Sequence, residues 1–240
     1  VTGGSPNPPD GAAITYRLAA EAKDDLTRES ADANGKVIRT LSSVVVPNKY
    51  GPDDADDPEE AAKPLLTRTR GLNRVVWDLR HAGARRIASK LDAGNPEKGP
   101  LAAPGRYTLT LRLGARSSSS SIEVLADPRS PASAEDFSAN LAFALDLRTQ
   151  LDRTLAAIEA VQAIRSQVAD VKARAATQAA VASAADAVIA RCDRIENALH
   201  NPDAEVVYDV LAGRNGGAKL YSQLSPLYSW AQDSDHAPTQ

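Results

Sequence analysis

The sequence predicts an α+β chain in two segregated parts, an antiparallel β-sandwich over residues 12–128 and an antiparallel α-helical bundle over residues 129–235. Three observations predict it. Short alternating apolar runs, separated by Gly, Pro and Asn turn signals, fill the first half, as expected of packed antiparallel sheets. Prolines at 128 and 131 then close that region stiffly. From Ser133 to about Lys172 neither Gly nor Pro occurs, and apolar residues recur at spacings of three and four.

Residues 1–11 read as a linker, and residues 236–240 as a tail. The chain starts without Met, so a mature product or a C-terminal fragment of a longer protein is expected. In Ala12–Leu18, the residues Ile14, Tyr16 and Leu18 share one face of a short strand. Leu26–Ser30 is weaker. Arg28, Glu29 and Ser30 stand where branched apolar residues are expected, so an edge strand at best is predicted. Asn34-Gly35 signals a hairpin, because both residues accept positive φ, and Val37–Leu41 forms its second arm. Residues 43–70 read as a loop punctuated by Pro47, Pro52, Pro58 and Pro64. Within it, Asp53–Glu60 gathers six carboxylates. Such a run could hold Ca²⁺, but it lacks the spaced Gly and terminal Glu of a calcium loop, and a solvated loop is the favoured reading.

The most informative run is Gly71–Arg80. Asn73, Val75, Trp77 and Leu79 alternate with Arg74, Val76, Asp78 and Arg80, the mark of a half-buried strand pinned by one large aromatic. Residues 81–105 form a second long loop. Tyr107, Leu109, Leu111 and Leu113 mark a clean strand, and Gly114-Ala115 turns it. Ser117–Ser121 reads as low complexity, with Ile122 and Val124 closing the last strand.

The bundle is a long helical hairpin plus two shorter helices. Ser133-Ala-Glu-Asp136 is a capping-box variant. Leu151, Leu155, Ile158, Val161, Ile164, Val168 and Val171 form the first apolar stripe, and Val181, Ala185, Val188, Cys192, Ile195 and Leu199 a heptad seam. The hairpin is expected to turn near Ala175 to Thr177, since one helix of about 65 residues would run nearly 100 Å at 1.5 Å per residue. A short helix over about 203–212 and a last one marked by Leu220, Leu224, Leu227 and Ala231 complete the bundle, with Tyr221, Tyr228 and Trp230 supplying aromatics. From Asp233 the chain reads as a frayed polar end.

Composition excludes more than it assigns. The 240 residues carry a net charge of -3 with Lys and Arg spread along the chain, so nothing suggests a nucleic-acid footprint. Aromatic content is 4%, which leaves Ala, Val, Leu and Ile to build the core. No apolar run approaches the roughly 18 residues of a membrane span. The single Cys192 permits no intrachain disulfide, and its place in the seam marks it as a small buried hydrophobe rather than a nucleophile. His81, His200 and His236 have no zinc-type spacing. No nucleophile elbow, P-loop or dinucleotide fingerprint occurs. Asp78 can be proposed as one carboxylate of a glycosidase pair, with Trp77 beside it as a sugar platform. Alternation favours a different reading, Trp77 as core anchor and Asp78 at the surface. No catalytic, cofactor-binding or metal-binding residue, and no cofactor, is therefore assigned.

Five runs taken in order carry a resemblance: Asn7-Pro-Pro-Asp-Gly-Ala12, Asp32-Ala-Asn-Gly-Lys-Val-Ile-Arg-Thr40, Gly71–Arg80, Gly99-Pro-Leu-Ala-Ala-Pro-Gly-Arg-Tyr-Thr108 and Asp127-Pro-Arg129. Together with Lys219–Tyr228 they resemble the C-terminal region of bacterial proteins with sortilin-like, BNR/Asp-box β-propellers, often labelled glycosyl hydrolases. The resemblance implies an Ig-like or fibronectin-III-like sandwich and an exported, periplasmic or secreted protein. By the same resemblance the propeller with any catalytic site precedes this chain, and no catalytic residue carries over, since no Asp-box is present. The expectation is a non-catalytic accessory region that orients or docks the propeller of the same parent or a separate protein partner. The alternatives are a contribution to a glycoside hydrolase site, and a carbohydrate- or protein-binding module using loops 43–70 and 81–105.

Overall fold

Alternation in the first half and helical spacing in the second yield, among the described residues, two β-sheets followed by three helices, one long and two shorter. The computed structural model describes residues 10–44, 66–87, 96–175, 177–203, 213 and 216–239. The strands are β1 (Ala12–Leu18), β2 (Leu26–Ala31), β3 (Val37–Ser42), β4 (Gly71–Trp77), β5 (Gly105–Leu113) and β6 (Arg116–Val124). The helices are α1 (Ala134–Arg174), α2 (Ala179–Leu199) and α3 (Leu220–Trp230). The acidic run 53–60 and, of the expected helix over 203–212, residues 204–212 lie outside the described residues.

The chain forms two compact units. One comprises Val1–Ala82, Gly99–Leu141 and Asp235–Thr239; the other comprises Gly83–Lys98 and Ala142–Ser234, with Gln240. In the first unit, β1 pairs antiparallel with β4, while the second sheet has the order β3-β2-β5-β6, antiparallel throughout. The inner faces of the two sheets meet in two apolar clusters. One gathers Tyr16, Leu18, Leu26, Leu41, Leu66 and Val75; the other gathers Ile38, Trp77, Ala102, Tyr107, Leu109 and Val124. Ile14 touches both. Trp77 has no exposed surface and packs edge-on to Tyr107, with ring centroids 5.6 Å apart.

Several expectations are corrected here. The Leu26–Ser30 stretch is an interior strand, because β2 hydrogen-bonds β3 on one side and β5 on the other. Its inward residues are Leu26, Arg28 and Ser30, so the absence of apolar residues marked a polar inner face and not an edge. The serine run is likewise regular structure, forming most of β6 at the sheet edge with Ser120 opposite Leu109 and Ser118 opposite Leu111. The Asn34-Gly35 hairpin exists, but only Gly35 has positive φ (+79°). The turn is built on the Asp32 carboxylate, which accepts the amides of Asn34 and Lys36 at 2.9 Å each. A bulge between Ser30 and Ala31 absorbs the odd residue. The strand beginning at Gly71 ends at Trp77 rather than Arg80, since Leu79 adopts a left-handed φ of 55°. The ends of the 81–105 stretch are also fixed: Arg80 bridges Leu101, and His81 donates its amide to Pro100.

At the start of α1, Ser133 and Asp136 cap the helix reciprocally, with the Asp136 amide 3.1 Å from Ser133 Oγ and the Ser133 amide 3.0 Å from Asp136 Oδ2. The helix ends at Arg174 and α2 starts at Ala179, as the hairpin reading requires. Pairs Gln162–Glu196, Arg165–Asp193 and Lys172–Asp186 show that the two run antiparallel. The core here is Leu147, Leu151, Leu155 and Ile158 of α1, Tyr221 and Tyr228 of α3, and Ala84 and Ile87 from the stretch after β4. The apolar stripes run further than the burial does. Ile164, Val171, Val188 and Ile195 are exposed, whereas Glu196 is buried. On α3 half of the expected stripe packs inward: Leu224 and Ala231 lie against the core, whereas Leu220 and Leu227 are exposed, and Tyr221, Ser222, Ser225 and Tyr228 are the fully buried residues. The chain beyond Asp233 is tied down, its Ala237 amide donating to Asp136 Oδ1 at 3.2 Å.

Candidate functional site

Interior strands of a two-layer β structure put every second side chain between the sheets, so a charged residue in phase with the core is forced inward. Arg28 is such a residue. It lies on β2 directly opposite Leu41 of β3 and Leu111 of β5, in the same inward row, and is 1% exposed. Its guanidinium carbon sits 5.6 Å from the centroid of the Trp77 ring on the facing sheet. Among the described residues, no protein acceptor reaches Nε, Nη1 or Nη2 of Arg28.

The energetics of this placement are unbalanced. A cation over an indole face is worth about 0.5–2 kcal/mol, whereas burying an ion costs several kcal/mol. Burial, with a smaller contribution from nearby Arg39, lowers the Arg28 pKa to about 10, and Asp78 acts in the opposite direction. The side chain therefore stays charged at neutral pH. Asp78 does not pair with it directly. Its Oδ2 lies 3.8 Å from Arg39, and its Oδ1 accepts the Arg80 amide at 3.2 Å.

A cavity of about 290 Å³ adjoins Arg28, walled by residues 14–17 of β1, the Arg17 cation among them, Leu109 and Leu111 of β5, and Ser118–Ser120 of β6. The serine run accounts for it. Residues facing Leu109 and Leu111 across an inner sheet face would ordinarily be large and apolar; Ser120 and Ser118 leave the space unfilled and their wall exposed. Ser119 points to the other face and hydrogen-bonds Thr110 at 3.0 Å.

The residues singled out from sequence fall elsewhere. Trp77 is fully buried and donates its indole N–H to the Arg80 carbonyl at 3.1 Å, which leaves no surface for a sugar. Asp78, just past the end of β4, is half-exposed. Cys192 is buried in the helical hairpin. His81 and His200 are buried in different units, and His236 lies in the C-terminal segment. Among the described residues, no group of three or more His, Cys, Asp or Glu could hold a metal ion.

The helical unit has its own buried charge, but one that is saturated. Glu196 is 2% exposed and receives Gln162 Nε2 at 2.7 Å, Arg165 Nη1 at 2.5 Å and a 3.1 Å contact from His200 Nε2. Burial pushes its carboxyl up, yet hydrogen bonds from Gln162 and His200 and the charges of Arg165 and His200 outweigh that, leaving it below the usual carboxylate range. Arg28 and Glu196 thus contrast: one buried ion has its partners in the protein and the other does not. Sequence reading missed Arg28 because the residue counted against a core strand. The available signal was its phase, two residues after Leu26 and two before Ser30.

No protein-family model, no curated protein and no solved structure matches this chain.

Proposed function

We propose that this chain is a non-catalytic accessory region of a larger exported protein, in which it orients or docks a β-propeller of glycosyl-hydrolase type or a separate protein partner. On this reading the β unit is an Ig-like or fibronectin-III-like sandwich, and the location is periplasmic or secreted. Among the described residues no helix is long and apolar enough to cross a membrane.

One observation carries the proposal: the signature runs are used to build the fold. Asp32 and Gly35 make the β2–β3 turn. Gly11 adopts φ +129°, where a Cβ would collide with the Trp77 carbonyl. Asn73 is buried, accepting the Thr67 and Thr69 hydroxyls at 2.7 and 2.9 Å and donating to two backbone carbonyls. Trp77 fills the core, and the Tyr107 hydroxyl donates to Ala103 at 2.7 Å. Asp127 holds Arg129 in the turn that leaves the sheet, which lowers the Asp127 pKa to about 2. Residues used for turns and packing suit a scaffold that serves a neighbouring domain.

Two experiments test this reading. The reading frame upstream of Val1 should encode propeller repeats; a frame without them removes the basis for the proposal. The chain alone should show no turnover of glycoside substrates, and activity abolished by Asp78→Asn would establish the enzyme alternative instead. The binding-module alternative acts through loops 43–70 and 81–105. Ala84 and Ile87, in the 81–105 stretch, are buried in the helical core, so that part of the loop serves packing.

A further inference from the structure

We propose that the free edge of β1 receives an extended segment of a partner protein as a further strand of the β1–β4 sheet. The segment's alternate residues are small and apolar, facing inward, and acidic, facing outward. This names the element that the docking role above engages and rests on that reading to that extent. Its test uses this chain and peptides alone, so either can fail without the other.

The two sheets are unequal. The β1–β4 sheet faces one of four strands, and at a strand spacing of about 4.8 Å it is about 10 Å narrower. The deficit falls on the β1 side. The cavity of about 290 Å³ touches Ile14, Thr15, Tyr16 and Arg17 in succession, and Ser118, Ser119 and Ser120 in succession, so it meets both strands edge-on and not at one face. Arg28 borders it with its nitrogens sealed from solvent and contributes no donor. Among the described residues β1 pairs with β4 alone, and no other backbone bond reaches residues 12–18. Alternate N–H and C=O groups along its outer edge therefore have no partner among the described residues. Free edges are ordinarily blunted by proline, a bulge or a covering element, and the seven residues of β1 contain neither proline nor bulge. Across the cleft, the inner face of β6 is covered at Val124 but exposed at Ser118 and Ser120, whose short side chains leave depth for those of a guest strand.

Charge identifies the guest. Arg17 and Arg74 project from the outer face of the β1–β4 sheet, Arg17 opposite Leu72 and Arg74 opposite Thr15. Arg70 lines a second cavity, of about 250 Å³, that shares Arg17. All three arginines are exposed, no carboxylate lines either cavity, and among the described residues none of the three is in an ion pair. A strand added at β1 aligns its outward residues with Ala13, Thr15 and Arg17, where acids neutralise the row. Its inward residues align with Ile14 and Tyr16, towards Leu109 and Leu111. The main-chain ladder supplies affinity and the alternating side chains select the guest.

The experiment is fluorescence anisotropy of a fluorescein-labelled peptide, Thr-Val-Glu-Val-Glu-Val-Thr, titrated with the whole chain. Beside it run versions with Ala or Leu for Val, with Lys for Glu, and with the amide of the central Val or of the Glu after it N-methylated. At least one of the Val, Ala and Leu peptides should bind saturably, and Lys for Glu should weaken binding about tenfold. Only alternate amides of an added strand face β1, so one N-methylation should abolish binding and the other be tolerated. Arg17→Glu should weaken the acidic peptide about tenfold and strengthen the lysine one. Ser120→Trp plugs the cleft from an exposed position and should abolish binding at unchanged Tm. Arg17→Glu keeps the test decisive if the Trp variant fails to fold. No saturable binding by any of the three acidic peptides overturns the proposal, as does binding that survives Ser120→Trp or both N-methylations. Equal binding of the acidic and lysine peptides overturns the guest's charge. A dimer of the unmodified chain in sedimentation that Ser120→Trp dissociates makes a second copy the occupant and overturns the assignment to a partner.

Discussion

Trp77 and Arg28 show how far a single residue's role can be read from its neighbours in sequence. Parity along Gly71–Trp77 put Trp77 inside, and it is so placed, because a strand gives side chains only two faces; Asp78 follows the end of the strand and is exposed. Trp77→Ala is expected to cost about 3–5 kcal/mol through the lost ring volume and to abolish the cooperative melt of the β unit; an unchanged melt would refute the anchor role. Asn73→Ala should cost about 1–3 kcal/mol, since it strands buried hydroxyl and carbonyl groups that Asn73 now satisfies; urea denaturation at matched pH measures it. Arg28 was illegible for the opposite reason. Propensity argues against a charged residue in a core row, and what makes the position tolerable is an indole on the other sheet, 49 positions along the chain. No local pattern encodes that pairing.

At the scale of elements, period was legible and phase was not. Spacings of three and four located α1, α2 and α3, but an apolar residue at the stripe's edge reads the same whether it is covered or not. Ile158 is 1% exposed and Ile195 50% exposed, although both fit the helical repeat. Ile158→Ala should therefore cost about 2–5 kcal/mol and Ile195→Ala no more than about 0.5 kcal/mol, a contrast readable from two denaturation curves. The α1–α2 contact is instead centred on Glu196, a residue that hydropathy sends to the surface. Its folded pKa lies below its unfolded value, so its contribution to stability is present above the unfolded carboxyl range, near pH 4.3, and is lost as pH falls through the lower folded value. Glu196→Gln should flatten the fall in stability between about pH 5 and pH 3 relative to the unmodified chain. Identical slopes for the two proteins would remove the carboxylate from that account.

For the whole molecule, the order of β then α was legible because alternation gives way to helical spacing at residues 128–133. The division of the chain was less visible, since Gly83–Lys98 belongs to the helical unit while its flanks belong to the β unit. Ala84 and Ile87 lie in the helical core, Arg85 donates its amide to Asp152 at 2.8 Å, and its side chain reaches both Glu159 oxygens at 3.0 and 3.1 Å. Nothing in the composition of a Gly- and Pro-containing loop announces such a destination. A fragment of residues 129–240 is therefore expected to melt broadly, and a synthetic 83–98 peptide added in trans should sharpen and raise the transition; a cooperative melt of the fragment alone would show the peptide stretch to be dispensable.

That borrowed segment also sets a timetable. Ile87 leaves the ribosome roughly 60 residues before Leu151 and Leu155, and at about 5–20 residues per second the interval is several seconds. Tyr221 and Tyr228 follow later still. During that wait the strands on either side of the segment have already been synthesised, whereas the surface that Ala84 and Ile87 will cover does not yet exist. The core of the helical unit can close only after Tyr221 and Tyr228 have been made, so until then Ala84 and Ile87 wait without the partners that bury them.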